Sequence, residues 1–201
     1  MISTPLKTVT RLILASASPR RKALLEDLGL GFEIMEARVD EIPVPGELPR
    51  DFVLRAACDK AAEISRVNTA SWVLGADTIV VHADRILGKP RDRREALDVL
   101  LTLSGRKHMV HTGFCLKSER EQMSISRVVT TEVYFSEFSE DIAAAYVATG
   151  EPLDKAGAYG IQGMGGFLVE RINGSYSNVV GLPLMEVIEE LIRYKVVEPR
   201  Q

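Results

Sequence analysis

Strand-like and helix-like stretches alternate along nearly the whole chain, and one long hairpin interrupts the alternation. Apolar runs and period-two patterns predict strands at 11–15, 31–36, 72–81, 108–117, 125–135 and 166–172. Helical spacing predicts helices at 19–28, 49–66, 93–103, 139–149 and 183–195. The last of these carries Leu184, Val187, Ile188, Leu191 and Ile192 on one face. Between 108–117 and 125–135 lies the polar stretch SEREQ, and Val128, Thr130, Glu132 and Tyr134 share one face of the second strand. That pair reads as an antiparallel hairpin. Helices and strands in turn, with such a hairpin, imply an α/β fold on a mixed sheet.

No internal repeat and no long Pro, Gly or Ser linker divides the 201 residues, so a single domain over 1–201 is expected. A formal charge of −3 argues against a nucleic-acid polymer as partner, because such binding needs a basic surface. The charge is uneven, however: Lys7, Arg11, Arg20, Arg21 and Lys22 all precede the first acidic residue, Glu26. A small anion suits that distribution better. Cys58 and Cys115 are the only cysteines and have no metal-ligand spacing, as expected of small core residues in a reducing compartment. With no apolar run near ~18 residues, no membrane partner is expected, and the chain reads as soluble and cytoplasmic.

The stretch LILASASPRRKALLEDLGLGFE, residues 12–33, reads as a strand, a Ser-rich turn and a helix. Ser18 is a good N-cap and Pro19 suits the first helical position. The first turn of a helix is electrically positive and attracts acid, yet this one holds Arg20, Arg21 and Lys22. Other starts behave differently: Ser139-Glu140-Asp141 places acid there, and Asp92 with Glu95 forms a capping box that offsets Arg93 and Arg94. Each misplaced charge costs about 0.3–1 kcal/mol. Either the long side chains splay into solvent, or they join Ser16, Ser18 and the helix N–H groups in an anion site.

Carboxylates and amides supply the other candidates. WVLGADTIVV at 72–81 has one acid in an apolar run, Asp77. It either caps a turn beside Gly75 or is held rigidly as a metal ligand or general base. Lys89 sits between Gly88 and Pro90 in a stiff turn, solvated or acting as a phosphate clamp. Lys60 lies on an Ala-rich helix, and Asp40 and Glu41 fall in a polar loop. Residues 154–184 hold many glycines, so the backbone must turn sharply or approach something closely. Neither a Walker A sequence nor GxGxxG occurs there. Gln162 in that segment could read a nucleobase edge, while Tyr159 and Tyr176 could stack on a base or simply pack. By themselves these parts describe an α/β protein that binds a phosphorylated small molecule.

LASASPRRKALL, GADTIV, LGKPRD, EPLDKAGAYGIQGMGG and INGSYSNVVGLPL, in that order, resemble the Maf family of nucleoside triphosphate pyrophosphatases. The likeness runs from Leu12 to about Tyr194, and no motif position departs from the family pattern. DKAGAYGIQG is similar to the branch acting on dTTP and UTP; the branch acting on 7-methyl-GTP has a Cys-containing sequence there. The resemblance implies an elongated mixed sheet flanked by helices, split into two lobes with a central cleft. It implies hydrolysis between the α and β phosphates, giving a nucleoside monophosphate and pyrophosphate. By motif position, Asp77, Glu41 and Lys89 carry the reaction. Asp77 activates water, Glu41 joins Asp77 around Mg²⁺ or Mn²⁺, and Lys89 clamps phosphate. Ser16, Ser18, Arg21 and Lys60 hold the triphosphate, while Arg20, Thr78 and Gln162 select the substrate. The family also implies a possible homodimer. Two further readings come with it: a 7-methyl-GTP or broader modified-nucleotide pyrophosphatase, and a nucleotide-binding septum-formation inhibitor without turnover.

Overall fold

The computed structural model describes residues 4–200. Its strands are β1 (Leu6–Thr8), β2 (Leu12–Ala15), β3 (Glu33–Ile34), β4 (Trp72–His82), β5 (Arg85–Leu87), β6 (Lys107–Ser118), β7 (Met123–Phe135), β8 (Val169–Asn173) and β9 (Val197–Pro199). Its helices are α1 (Pro19–Glu26), α2 (Pro49–Val67), α3 (Arg93–Leu103), α4 (Glu140–Ala148), α5 (Tyr176–Val180) and α6 (Leu184–Arg193). The main sheet has the order β3-β2-β4-β6-β7-β8, with β5 added to β4. It is mixed. β2 runs parallel to β3 and β4, whereas β5 is antiparallel to β4 and β8 to β7. The predicted hairpin forms from β6 and β7, sheet neighbours joined by four residues, too few for a parallel crossover. An α/β fold with helices flanking a mixed sheet is what the alternating sequence requires.

The chain forms two compact units whose boundaries fall inside β4, β6 and β7. One takes the residues up to Asp77, then 112–128, then 181 onward. Here α2 buries Phe52, Val53, Ala56, Ala57, Ala61 and Ile64 along one face. Ile13, Ala15, Ala61, Ile64, Val73 and Cys115 form one of its apolar clusters, with Cys58 packed at its margin. Two glycines let α2 lie almost on the sheet backbone. A Cβ on Gly75 in β4 would run into the Ala57 carbonyl and the Ala61 amide. A Cβ on Gly113 in β6 would run into the carbonyl of Val53. Strand alternation puts Asp77 on the same face of β4 as Gly75.

The second unit takes residues 78–111 and 129–180. α3 packs on α4, and Leu100, Leu103, Val133, Phe135, Tyr146, Tyr159 and Leu168 share its core. Tyr159 is a packing residue: it is buried, edge-on to Phe135 and His108, with its hydroxyl 2.9 Å from His108 Nε2.

The structure shifts several predicted elements. The strand predicted at 31–36 shrinks to β3, paired only through Glu33 and Ile34. The one predicted at 166–172 begins later, because Met164–Leu168 form a 3-10 turn before β8. The capping box at Asp92 is half formed. Asp92 accepts from the Glu95 amide at 2.9 Å, but the Glu95 carboxylate turns to the amide and guanidinium of Arg91. Among the described residues no helix is long and apolar enough to cross a membrane.

Candidate active site

The β2–α1 turn explains two of the three cations in the first turn of α1. Ser18 has extended backbone dihedrals, and its hydroxyl faces the Arg21 amide at 3.5 Å, with Pro19 opening the helix. Lys22 does splay outward, 3.6 Å from Glu26 one turn on. Arg21 does the opposite. Its side chain is buried, with Nε donating to the Gly181 carbonyl at 2.8 Å and Nη1 to the Ser16 hydroxyl at 2.9 Å. The Ser16 hydroxyl also accepts from the Ser18 amide at 3.3 Å, so one oxygen ties turn, helix and guanidinium together. Burial lowers the Arg21 pKa, and the charges of Asp77 and Glu41 work against that shift, while Arg20 reinforces it. The guanidinium nonetheless stays protonated at any ordinary pH. The half-buried Arg20 adds its charge to the same neighbourhood.

The acids stand around Lys60. Its ammonium donates to Asp77 Oδ1 at 2.8 Å and lies 2.7 Å from Glu41 Oε1. Lys60 and Asp77 are 6% and 7% exposed. A charge buried that deeply is tolerable only when paired, so each stabilises the other's position. The pairing depends on the close approach at Gly75, which brings α2 against the strand that bears Asp77. Glu41 arrives from an irregular segment, 35–48, and its side chain is about half exposed. The geometry thus joins Ser16, Ser18 and Arg21 in one hydrogen-bonded group and Glu41, Lys60 and Asp77 in another. Arg21 senses both carboxylates of the second group.

Thr78, Lys89 and Gln162 belong to the second unit. There the Gly157 amide donates to the Gly88 carbonyl at 3.2 Å, so the turn bearing Lys89 adjoins the Gly-rich segment. Both Lys89 and Gln162 are exposed. A residue the motif reading passes over, Glu151, holds the loop that carries Gln162. Its carboxylate accepts from the amides of Met164 and Gly165, at 2.9 and 3.1 Å, and from the Tyr146 hydroxyl at 2.8 Å. Burial pushes this carboxyl up, but those three donors outweigh it and leave the pKa below the usual range. A Cβ on Gly163 would meet that carboxylate, so a side chain there would push the end of Glu151 off its amide partners. The signal in the sequence is Glu151 itself, an acid four residues before Lys155 in a segment otherwise rich in glycine.

A buried guanidinium at a helix N-terminus, with two carboxylates within its electrostatic reach, suits a protein that handles a charged phosphate ester. Comparison with known proteins gives the family. The model of the Maf-like proteins matches residues 11–194, and this chain belongs to the Maf family. A relative from Desulfotalea psychrophila (strain LSv54 / DSM 12343) is 53% identical over 92% of this chain and 95% of its own length. One from Geobacter sulfurreducens (strain ATCC 51573 / DSM 12127 / PCA) is 48% identical over 91% and 96%. One from Syntrophus aciditrophicus (strain SB) is 49% identical over 90% and 88%. All three are named dTTP/UTP pyrophosphatase.

Proposed function

We propose that this protein is a nucleoside triphosphate pyrophosphatase that hydrolyses dTTP and UTP to the monophosphate and pyrophosphate. The observation that carries the reading is the buried Lys60 ammonium bridging Asp77 and Glu41, with Arg21 close enough to feel both acids. The names of relatives that are about half identical over most of the chain support the substrate.

Asp77 is the base in this reading. Lys60 fixes one of its oxygens, and the other takes a proton from water attacking the α phosphorus. Burial on a strand holds the carboxylate still, so little reorganisation accompanies the transfer. Arg20 and Arg21 place fixed positive charge where the pyrophosphate leaving group accumulates negative charge. Ser16 and Ser18 complete the cradle for phosphate oxygens. Lys89 clamps phosphate, and Thr78 and Gln162, with Arg20, select the base. The amide of Gln162 can donate and accept at once, which matches the N3–H and O4 of thymine or uracil.

With Asp77 acting as base, Glu41, a hard and half-exposed carboxylate, would hold a divalent cation that arrives with the nucleotide, and phosphate oxygens would complete its shell beside Asp77. Mg²⁺ and Mn²⁺ suit a site of one or two carboxylates plus phosphate oxygens. When bound, such an ion neutralises phosphate charge and orients the triphosphate. A cytoplasmic setting, where thiols stay reduced, suits the free Cys58 and Cys115.

Pyrophosphate release measured across a panel of nucleoside triphosphates with Mg²⁺ tests the assignment. dTTP and UTP should lead the panel, and Gln162→Glu should lose them selectively. Preference for 7-methyl-GTP, or no release from any nucleotide, would overturn it.

A further inference from the structure

Glu41 meets Lys60 although the segment that carries it, 35–48, lacks regular structure and buries little. Ile42 and Val44 are 70% and 53% exposed, and Leu48 is exposed too. Met35 and Ala37 at the segment's start pack on the apolar cluster, and the Arg38 amide donates to the Glu63 carboxylate on α2, but apolar burial does not fix 42–47. One side chain on α2 does. Arg55 donates from Nε to Glu47 Oε1 at 2.7 Å and from Nη2 to Glu47 Oε2 at 2.8 Å, a two-point fork. The same Nη2 donates to the Ile42 carbonyl at 3.0 Å, and Nη1 reaches Asp59 at 3.4 Å. Glu47 in turn accepts from the Val44 amide at 3.0 Å, while its own amide donates to the Val44 carbonyl at 3.0 Å. The guanidinium thus gathers both ends of 42–47, and the carbonyl it holds belongs to the residue next to Glu41. Arg55 and Lys60 lie five residues apart on one helix, so α2 supplies both the clamp and the charge that Glu41 meets.

We propose that Arg55 is the positioning residue for Glu41: by clamping 42–47 onto α2, it holds the Glu41 carboxylate at Lys60. Its catalytic consequence rests on Glu41 acting as proposed above. A lysine cannot replace it fully, because a single ammonium lacks the planar fork that engages Glu47 and the Ile42 carbonyl together.

Amide hydrogen exchange and kinetics on the full-length protein separate this role from a merely structural ion pair. In Arg55→Met, the hydrogen-bonded amides of Val44 and Glu47 should exchange at least about tenfold faster, while those of β4 and the second half of α2 stay unchanged. Arg55→Lys should recover part of that protection. Glu47→Gln, which breaks the clamp from its other side, should repeat the effect and covers the case of an Arg55 variant that fails to fold. With dTTP, kcat should fall about 10- to 100-fold and half-saturation by Mg²⁺ should shift upward, with a smaller change in the KM for dTTP. The double variant Arg55→Met/Glu41→Gln should be no slower than Glu41→Gln alone. Unchanged exchange at Val44 and Glu47, or a double variant whose loss multiplies the two single losses, would overturn the proposal. Should the parent protein hydrolyse no nucleotide, the functional reading fails, and the exchange rates alone decide whether Arg55 clamps the segment.

Discussion

Lys60 and Asp77 each keep the other tolerable in a buried position, and their coupling can be measured. Lys60→Met leaves the Asp77 carboxylate buried without its ammonium, which should cost about 3–5 kcal/mol of stability. Adding Asp77→Asn removes the stranded charge, so the double variant should regain much of that loss while remaining inactive. Denaturant unfolding of the parent, Lys60→Met, Asp77→Asn and the double variant checks this; additive losses would show that the two side chains do not act as a pair. The sequence marks Asp77 plainly, as an acid in an apolar strand, but leaves Lys60 as one lysine on an Ala-rich helix. Their partnership depends on how α2 docks, and nothing within 17 positions of chain spells that out. Arg21 is a related case. Its charge in the first turn of α1 is legible, whereas its burial beneath Gly181 comes from a residue 160 positions away.

At the scale of elements, the docking of α2 hinges on Gly75. Gly75→Ala places a methyl against the Ala57 carbonyl and the Ala61 amide, so the helix must shift. Overpacking of this kind costs about 1–3 kcal/mol. Because α2 carries Lys60 and Arg55, turnover should fall more than stability alone explains. A variant with a lowered unfolding midpoint but parental kcat would contradict that link. Elements with local signals are readable from the sequence: the Ser18-Pro19 start of α1, the Ser139-capped, acid-bearing start of α4, the alternating face of β7. The short strands β1, β5 and β9 have three residues each and no period to detect. The 3-10 turn at Met164–Leu168 is set by Glu151, whose carboxylate collects the Met164 and Gly165 amides. Residues 42–47, next to Glu41, are held by Arg55. Both depend on side-chain to backbone bonds between residues thirteen or fourteen apart, a spacing that no periodicity reveals.

At the scale of the whole molecule, stability should depend on pH through His108. It is almost fully buried, and burial, with a smaller push from His82, lowers its pKa to about 3. The unfolded chain takes up that proton near pH 6.5, the folded chain only near 3. Stability is therefore intact above 6.5 and falls by about 1.4 kcal/mol per pH unit as pH drops through that window. His108→Phe should flatten this slope in unfolding measurements from pH 7 to 4, and an unaltered slope would assign the dependence elsewhere. Catalysis makes a separate demand: in the proposed reaction Asp77, one of whose oxygens Lys60 holds, is the base. The most direct check is the rate of pyrophosphate release from dTTP by the parent protein and by Asp77→Asn, both confirmed folded. The rate should fall by about 10²–10⁴ in the variant; hydrolysis at the parental rate would mean that Asp77 does not activate the water.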